Sequence, residues 1–327
     1  MKPGGKAMSL KRSLLAELEA SRNTDLSGQK LAEKLGVSRN AVWKGINALR
    51  KDGHEILSGT NRGYRLSESS DLLSAEGISR HLAAGAKGLR VFVFKETDST
   101  NNEAKRMLAD GRRENFLVAA EHQTGGRGRN GRRFYSPSRA GIYMTLAIHP
   151  GPGAANPVSI TTAAAVAVVR AIEKLTDKKP LIKWVNDIFL DGGKICGILT
   201  EAIMDVETGT IQSVIVGIGV NVSAVELPEE LNGIAAALEP SGLTRNRLAA
   251  EIINQIMALA ADLSDKSYLE DYRARSMVLG KRIAYCQNGV FRQATAVGID
   301  ENGGLLIRND DGGTETLTSG EISVRPV

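Results

Sequence analysis

The sequence predicts an α+β protein in three parts: a helix-turn-helix with a β wing, a central domain with a mixed sheet, and a small SH3-like β-barrel. Three observations carry this reading. Helical periodicity and cap residues fill the stretch from Leu10 to about Asp52. In the middle of the chain, apolar strand-like runs follow one another mostly as hairpins, with too few helices for regular β-α-β alternation. From residue 277 onward, short alternating strands are separated by Asn288-Gly289, Asn302-Gly303 and Asp311-Gly312. The chain has 327 residues, enough for two or three domains with cores of their own. The boundaries read as 8–67, 72–275 and 277–327.

In the first part, "LKRSLLAELEA" places Leu10, Leu14, Leu15 and Leu18 on one helical face. Ser27 suits the N-cap of a second helix, whose stripe is Leu31 and Leu35, and Gly36 suits its left-handed end. Ser38 caps a third, with Val42, Ile46 and Leu49 facing inward. Two short helices joined through "LGVS" form a helix-turn-helix. The second presents Arg39, Asn40, Trp43, Lys44 and Asn47 outward, chemistry suited to phosphates and base edges. "HEILSGTNRGYRLS" then alternates around a "TNRG" turn and makes a basic wing with Arg62 and Arg65. Residues 1–67 hold 13 Lys and Arg against 6 Asp and Glu, whereas the whole chain nets only +5. A helical hairpin with a purely structural role is the plain alternative; the wing and the local positive charge favour DNA. The polar stretch "SESSDLLSAEG" (67–77) reads as a linker.

The central part begins with "LRVFVFKETDSTNNEAKRML", a strand, a polar turn and a helix capped near Ser99 or Thr100. "FLVAAE" and "GIYMTLAI" are strands, "PVSITTAAAVAVVRAIEKLT" is a long buried helix, and "SVIVGIGVNVS" is another strand. "LIKWVNDIFLDGGKICGILTEAIM" folds back at "DGGK", with Trp184 in the core. Amphipathic segments follow at 244–263 and 266–276.

Several function classes drop out. With 42% hydrophobic and 24% charged residues the chain packs a core and is not a disordered tail. No apolar run approaches the roughly 18 residues of a membrane span. The start lacks the apolar core of a secretory signal, so a cytoplasmic protein with no membrane partner is expected. Cys196 and Cys286 suggest neither a disulfide framework nor a zinc pair, and His54, His81, His122 and His149 are scattered.

One stretch stands apart, "GGRGRNGRRF" from Gly125 to Phe134, with four glycines and four arginines. Strands bracket it on both sides, so it is a loop within a folded domain. Glycines let the backbone approach a ligand, and arginines at i, i+2 and i+5 offer forked donors to carboxylate and phosphate together. A merely solvated basic loop is the competing reading.

Five motifs in order resolve the choice: "TDSTN" (97–101), "QTGGRGRNGR" (123–132), "IKWVND" (182–187), "GGKICGILTE" (192–201) and "GIGVNV" (217–222). With both flanking domains, the chain resembles over essentially its whole length the bifunctional biotin–protein ligases that are also biotin repressors. The resemblance implies activation of biotin with ATP and Mg2+ to biotinyl-5′-AMP. The biotinyl group then passes to a lysine of the biotin carboxyl carrier protein of acetyl-CoA carboxylase. It further implies repression at operator DNA by a homodimer that biotinyl-5′-AMP promotes. Carried over, Ser99, Thr100, Asn101 and Gln123 bind biotin, the first two and Gln123 being neutral polar groups suited to its ureido ring. Arg127, Gly128 and Arg129 cover the carboxylate and α-phosphate, and Lys194 stabilises that crowded centre; Lys194, Arg127 and Arg129 are the catalytic candidates. Arg129, Arg132, Phe134, Asn186 and Asn221 face the nucleotide, and Asp187 organises magnesium. Ser38, Arg39, Asn40, Trp43, Lys44, Asn47 and Arg62 face DNA.

Two positions depart from the family. Val185 stands where proline is usual, which removes stiffness but no functional group. Phe134 stands where tryptophan is frequent, which leaves less area to stack on adenine and no indole N–H. A sensor whose ligase chemistry has decayed would not need Arg127, Arg129 and Lys194. Lipoate–protein ligases usually lack both the DNA-binding domain and this loop.

Overall fold

The computed structural model describes residues 8–59, 62–149, 156–204, 210–225, 227–287, 290–318 and 325–326. Helix α1 (Leu10–Ala20) buries Leu14, Leu15 and Leu18 as its periodicity requires. Helix α2 (Gly28–Leu35) starts where Ser27 Oγ accepts the Lys30 N–H at 3.1 Å, and stops at Gly36, whose φ of 65° suits a residue without Cβ. Helix α3 (Arg39–Asp52) starts on Ser38, which accepts the Ala41 N–H at 3.2 Å, and buries Val42, Ile46 and Leu49. Strands β1 (Ile56–Gly59) and β2 (Gly63–Leu66) pair antiparallel as the wing, and Leu26 and Tyr64 exchange backbone hydrogen bonds that dock it on the helices. Residues 60 and 61 of the expected turn lie outside the described residues. Arg65 turns toward Asp25 (3.6 Å), so Arg62 is the exposed arginine of the pair.

Residues 67–77 are not a free linker. Ser70, Leu73 and Ser74 are buried, and helix α4 (Ala75–Arg80) follows at once. Leu73 N–H donates to Glu121 Oε1 at 2.5 Å, and Ser74 N–H to Asn246 Oδ1 at 3.0 Å. Arg245, only 2% exposed, pairs with Asp71 and Glu121 and donates to Gly141 O at 3.0 Å. On the other side α4 meets α1 through Arg12–Glu76 (2.5 Å) and Arg80 to Ala20 O (3.2 Å). The composition of this stretch hides its role because most of these partners lie far away in sequence.

The central sheet has seven strands: β3 (Arg90–Phe94), β4 (Phe116–Ala120), β5 (Gly141–Ile148), β6 (Leu181–Lys183), β7 (Asp187–Leu190), β8 (Gly193–Met204) and β9 (Ile211–Asn221). Their order is β3-β4-β5-β9-β8-β7-β6, with β3 and β4 parallel and the rest antiparallel, the mixed sheet expected from hairpin succession. Strand period 2 divides β4 between two cores. Leu117 and Ala119 pack toward α6 (Pro157–Leu175) and α7 (Arg245–Ala260). Phe116 and Val118 pack with Ala104 and Leu108 of α5 (Thr100–Ala109) on the other face. Asp191 and Gly192, at φ of 49° and 84°, make the tight β7–β8 turn.

After α8 (Tyr268–Ala274), strands β10 (Arg282–Gln287), β11 (Val290–Ile299), β12 (Leu305–Arg308), β13 (Thr314–Leu317) and β14 (Arg325–Pro326) form a five-stranded antiparallel sheet in the order β13-β12-β11-β10-β14. Gly303 and Gly312 turn with positive φ as their Asn-Gly and Asp-Gly pairs suggest; the Asn288-Gly289 turn lies outside the described residues. Closure into a barrel is not among the described pairings. This module sits on the central domain: Trp184 Nε1 donates to Gly303 O at 2.9 Å, and Arg273 clasps Ile299 O. Among the described residues no helix is long and apolar enough to cross a membrane.

Candidate active site

A cavity of about 550 Å3 opens beside β5, β8 and β9, and the five sequence motifs meet on its wall. Every residue expected to meet the small-molecule ligands lines it: Ser99, Thr100, Asn101, Gln123, Arg127, Gly128, Arg129, Arg132, Phe134, Asn186, Asp187, Lys194 and Asn221.

One end is neutral and hydrogen-bonding. Ser99 is the N-cap residue of α5, yet its hydroxyl makes no capping bond, so capping does not account for it. Thr100 N–H donates to Gln123 Oε1 at 2.8 Å, and Gln123 Nε2 donates to Ser136 Oγ at 2.9 Å. Behind them, Thr145 Oγ1 lies 2.8 Å from Thr100 Oγ1 and 2.6 Å from Asn101 Oδ1. Asn101 Nδ2 reaches Glu201 Oε2 at 2.8 Å, and Lys105 Nζ holds Glu201 Oε1 at 2.7 Å. Burial pushes the Glu201 carboxyl up, but the bonds from Lys105 and Asn101 outweigh it and hold it below its ordinary range.

The other end is charged. Lys194 Nζ lies 2.7 Å from Asp187 Oδ1. Arg129 Nη1 donates to Asn186 Oδ1 at 3.0 Å, while Asn186 Nδ2 donates to Ile198 O at 2.9 Å. Burial favours loss of the Arg129 charge and Asp187 opposes it, with a net downward shift that still leaves a guanidinium cationic at neutral pH. Asn221 Nδ2 donates to Ala236 O at 3.0 Å, so its amide fastens the segment that Lys194 meets through Ile234 and Ala236.

The Arg-Gly stretch arches between these ends. Gly125 N–H is pinned to Asp98 O (2.8 Å), Gly128 N–H closes on Arg132 O (2.7 Å), and Arg127 Nη1 donates to Asn102 Oδ1 (3.3 Å). The hydrogen bond from Arg106 keeps the Asp98 carboxyl far below the usual range, so this root is a fixed anion. Phe134 lays its ring on the bare backbone of β9: a Cβ at Gly219 would stand 2.5 Å from Phe134 Cε1. Tyr143 meets the same ring edge-on at 6.3 Å. A Cβ at Gly217 would stand 2.2 Å from Asn101 Oδ1, so the "GIG" run is a floor that side chains would fill.

Sequence reasoning missed part of the wall. Tyr143, Met144, Pro137, Leu231 and Ile234–Ala237 also line the cavity. Nothing in "IAAAL" separates a ligand wall from ordinary packing, whereas the paired glycines 217 and 219 were a usable signal. Magnesium has limited protein support here. Asp187 and Glu239 are the lining carboxylates, and among the described residues no group of three His, Cys, Asp or Glu converges to hold a metal. That suits an ion carried mainly by phosphate oxygens with one protein carboxylate.

The residues expected to face DNA lie at the start of α3, along it, and in the wing. Arg39, Asn40 and Lys44 are exposed on α3, Trp43 is 54% exposed, Asn47 is half-buried, and Arg62 projects from the wing. Ser38 is occupied as the helix cap.

Comparison with known proteins gives the same division of the chain. Residues 11–65 match the helix-turn-helix model "HTH domain", 93–221 the "Biotin/lipoate A/B protein ligase family", and 278–325 the "Biotin protein ligase C terminal domain". The bifunctional ligase/repressor BirA of Bacillus subtilis is 34% identical over 93% of this chain and 95% of its own. That of Escherichia coli is 31% identical over 91% and 92%. A biotin protein ligase from Aquifex aeolicus, solved with biotin and ATP, superposes with a TM-score of 0.63 at 27% identity, covering 73% of this chain and 99% of that one.

Proposed function

Because this chain belongs to the family of bifunctional biotin protein ligases and repressors, we infer that its central cavity joins biotin to ATP and that its N-terminal domain carries the product's signal to DNA. The protein is a biotin–[acetyl-CoA-carboxylase] ligase. It activates biotin to biotinyl-5′-AMP, transfers the biotinyl group to a lysine of the carboxyl carrier protein, and represses transcription. The observation that carries this reading is the polarity of one cavity: Ser99, Thr100 and Gln123 at a neutral end, Lys194 and Arg129 at a cationic end.

We assign the steps as follows. The ureido ring lies at the neutral end, and the valeryl carboxylate points toward Lys194. The carboxylate oxygen attacks the α-phosphorus of ATP, the bond to the β-phosphate bridge breaks, and pyrophosphate leaves. Lys194, now on Asp187, and the guanidinium groups of Arg127 and Arg129 stabilise the charge shared by carboxylate and phosphate. Asn186 and Arg132 face the nucleotide side. Asp187 is the residue that would hold Mg2+, which when bound neutralises phosphate charge. The acceptor lysine amine then attacks the acyl carbon and AMP departs. The loop 125–134, arching over the mixed anhydride, shields it from water.

A single helix-turn-helix reads a half-site, so operator binding calls for a two-fold dimer. The +7 excess of residues 1–67 opposes pairing through that domain, which leaves the central sheet. Among the described residues β7 covers β8 only from Gly193 to Gly197, leaving the far half of β8 paired to β9 alone. We propose that this edge pairs with a second copy once biotinyl-5′-AMP orders the loop, in a cytoplasmic protein.

Incubation with ATP, Mg2+ and either biotin or lipoate, followed by mass spectrometry, tests the chemistry. Biotinyl-adenylate is the expected product. Preference for lipoate, or no acyl-adenylate from either acid, would overturn the assignment.

A further inference from the structure

Ser136 lies just past the Arg-Gly stretch, outside the five motifs, and is only 3% exposed. It is not on the cavity wall, although its neighbours Tyr135 and Pro137 are. Its hydroxyl sits in a chain of hydrogen bonds whose directions are all fixed. Gln123 Oε1 accepts the Thr100 N–H at 2.8 Å, and a backbone N–H can only donate. The Gln123 amide is therefore oriented with Nε2 toward Ser136 Oγ, 2.9 Å away. Nε2 has no lone pair to offer, so Ser136 accepts there and gives its own proton to the Phe134 carbonyl at 2.9 Å. The Gln123 N–H also donates to Ser136 O at 3.2 Å, so Ser136 is held to Gln123 through backbone and side chain alike. A Cβ at Gly126 would stand 2.4 Å from Phe134 O and 2.6 Å from Ser136 Oγ, so the loop backbone closes directly over this contact.

The Phe134 ring needs such a hold. It rests on the bare backbone of Gly219 and reaches Gly197, where a Cβ would stand 3.3 Å from Phe134 Cε2. Tyr143 meets it only edge-on, at 6.3 Å. A glycine floor is flat and has no side chain to stop a ring from sliding. The Phe134 N–H is spent on Gly126 O at 2.9 Å, a bond within the loop itself. Among the described residues, the bond from Ser136 is thus the polar tie that joins Phe134 to the domain outside the loop. We propose that Ser136 is a positioning residue for the nucleotide: held by Gln123 on one side and holding the Phe134 carbonyl on the other, it sets where the aromatic platform lies. The inference rests on the biotin-and-ATP reading, in which the Phe134 ring carries the adenine.

The test reads the two substrates apart. Ser136→Ala removes both bonds of the hydroxyl and little volume, while the Gln123 amide stays oriented by the Thr100 N–H. In adenylate formation by the full-length protein, KM for ATP is expected to rise about 5–30-fold, with KM for biotin within about threefold of wild type. Ser136→Cys keeps a weaker donor at the same place, should fall between the two, and carries the test if Ser136→Ala does not fold. A double-mutant cycle with Phe134→Ala supplies the readout that a merely structural role would not move. With the ring gone, Ser136→Ala should cost nothing further in KM for ATP. An unchanged KM for ATP in Ser136→Ala, an equal rise for both substrates, or full additivity with Phe134→Ala would each overturn the proposal while the wild type still makes biotinyl-adenylate. A wild-type protein that makes none would overturn the functional reading, and the proposal with it.

Discussion

Lys194→Met separates catalysis from folding, because the substitution keeps most of the stem and removes the charge. Lys194 and Asp187 are 2.7 Å apart with side chains 28% and 24% exposed, so their pairing is partly screened. An ion pair of that kind contributes about 0–1 kcal/mol, which corresponds to a fall in Tm of no more than about 2–4 °C for a domain of this size. In the proposed reaction the same ammonium faces a carboxylate and an α-phosphate that are exchanging charge. Loss of one such donor costs about 2.7–4 kcal/mol of transition-state stabilisation, a drop of roughly 10²–10³ in kcat. Biotin-dependent ATP–pyrophosphate exchange at saturating substrates measures the second quantity, and thermal unfolding the first. The expected pattern is activity down two to three orders with a nearly unchanged melt. A fall of less than tenfold by a folded protein would refute the catalytic assignment. A collapse in Tm that accounts for the lost activity would show that Lys194 chiefly supports the fold.

Arg129→Gly removes the guanidinium that latches the loop to Asn186 Oδ1 at 3.0 Å, so the adenylate should leave faster and label bystander lysines; retention equal to wild type in a rapid-filtration assay would remove the shielding role. Arg39→Ala, at an exposed position opening α3, should weaken operator and random DNA alike and lower the slope of log K against log salt by about 1; an unchanged slope would mean that Arg39 meets no phosphate. Arg245→Met leaves Glu121 buried without its cation, which costs about 3–5 kcal/mol and should appear as a lowered urea midpoint. Because the Glu201 carboxyl is depressed in the folded protein, its contribution is complete above the unfolded value of about 4.3 and disappears as pH falls through the folded value. The stability difference between wild type and Glu201→Gln should therefore be flat at neutral pH and shrink in acid.

Much of this molecule was legible because its signals are local. Ser27 and Ser38 cap because the chain starts helices there, Gly36 ends one because φ must turn positive, and Asp191-Gly192 makes a hairpin because two successive positive φ values are needed. The motifs gave the cavity for a related reason, since each places its polar groups within one turn. What stayed hidden depends on residues far apart. Asp71 reads as a solvated linker residue until Arg245 is brought to it from 174 positions away. Thr145 reads as one more residue of a buried strand until Thr100 and Asn101 are brought onto its hydroxyl. Ile234–Ala237 reads as packing, because apolar walls and apolar cores are built from the same side chains.

The hydrogen bond from Trp184 Nε1 to Gly303 O makes the last part of the chain to be synthesised a brace for an earlier part of the central domain. Chains emerge from the ribosome N-terminus first and fold domain by domain. The DNA-binding domain and all seven strands of the central sheet are complete well before residue 303 is made. The stretch that carries Asn186 and Asp187, however, is braced from outside the sheet, by Tyr272 on the Val185 carbonyl at 3.2 Å and by Gly303 on Trp184. A nascent chain that stops short of the last module keeps the Tyr272 brace on this stretch and lacks the one from Gly303. An abandoned fragment of that length therefore keeps its DNA-binding head and the strands of its central sheet, while the Trp184 indole N–H is left without its partner.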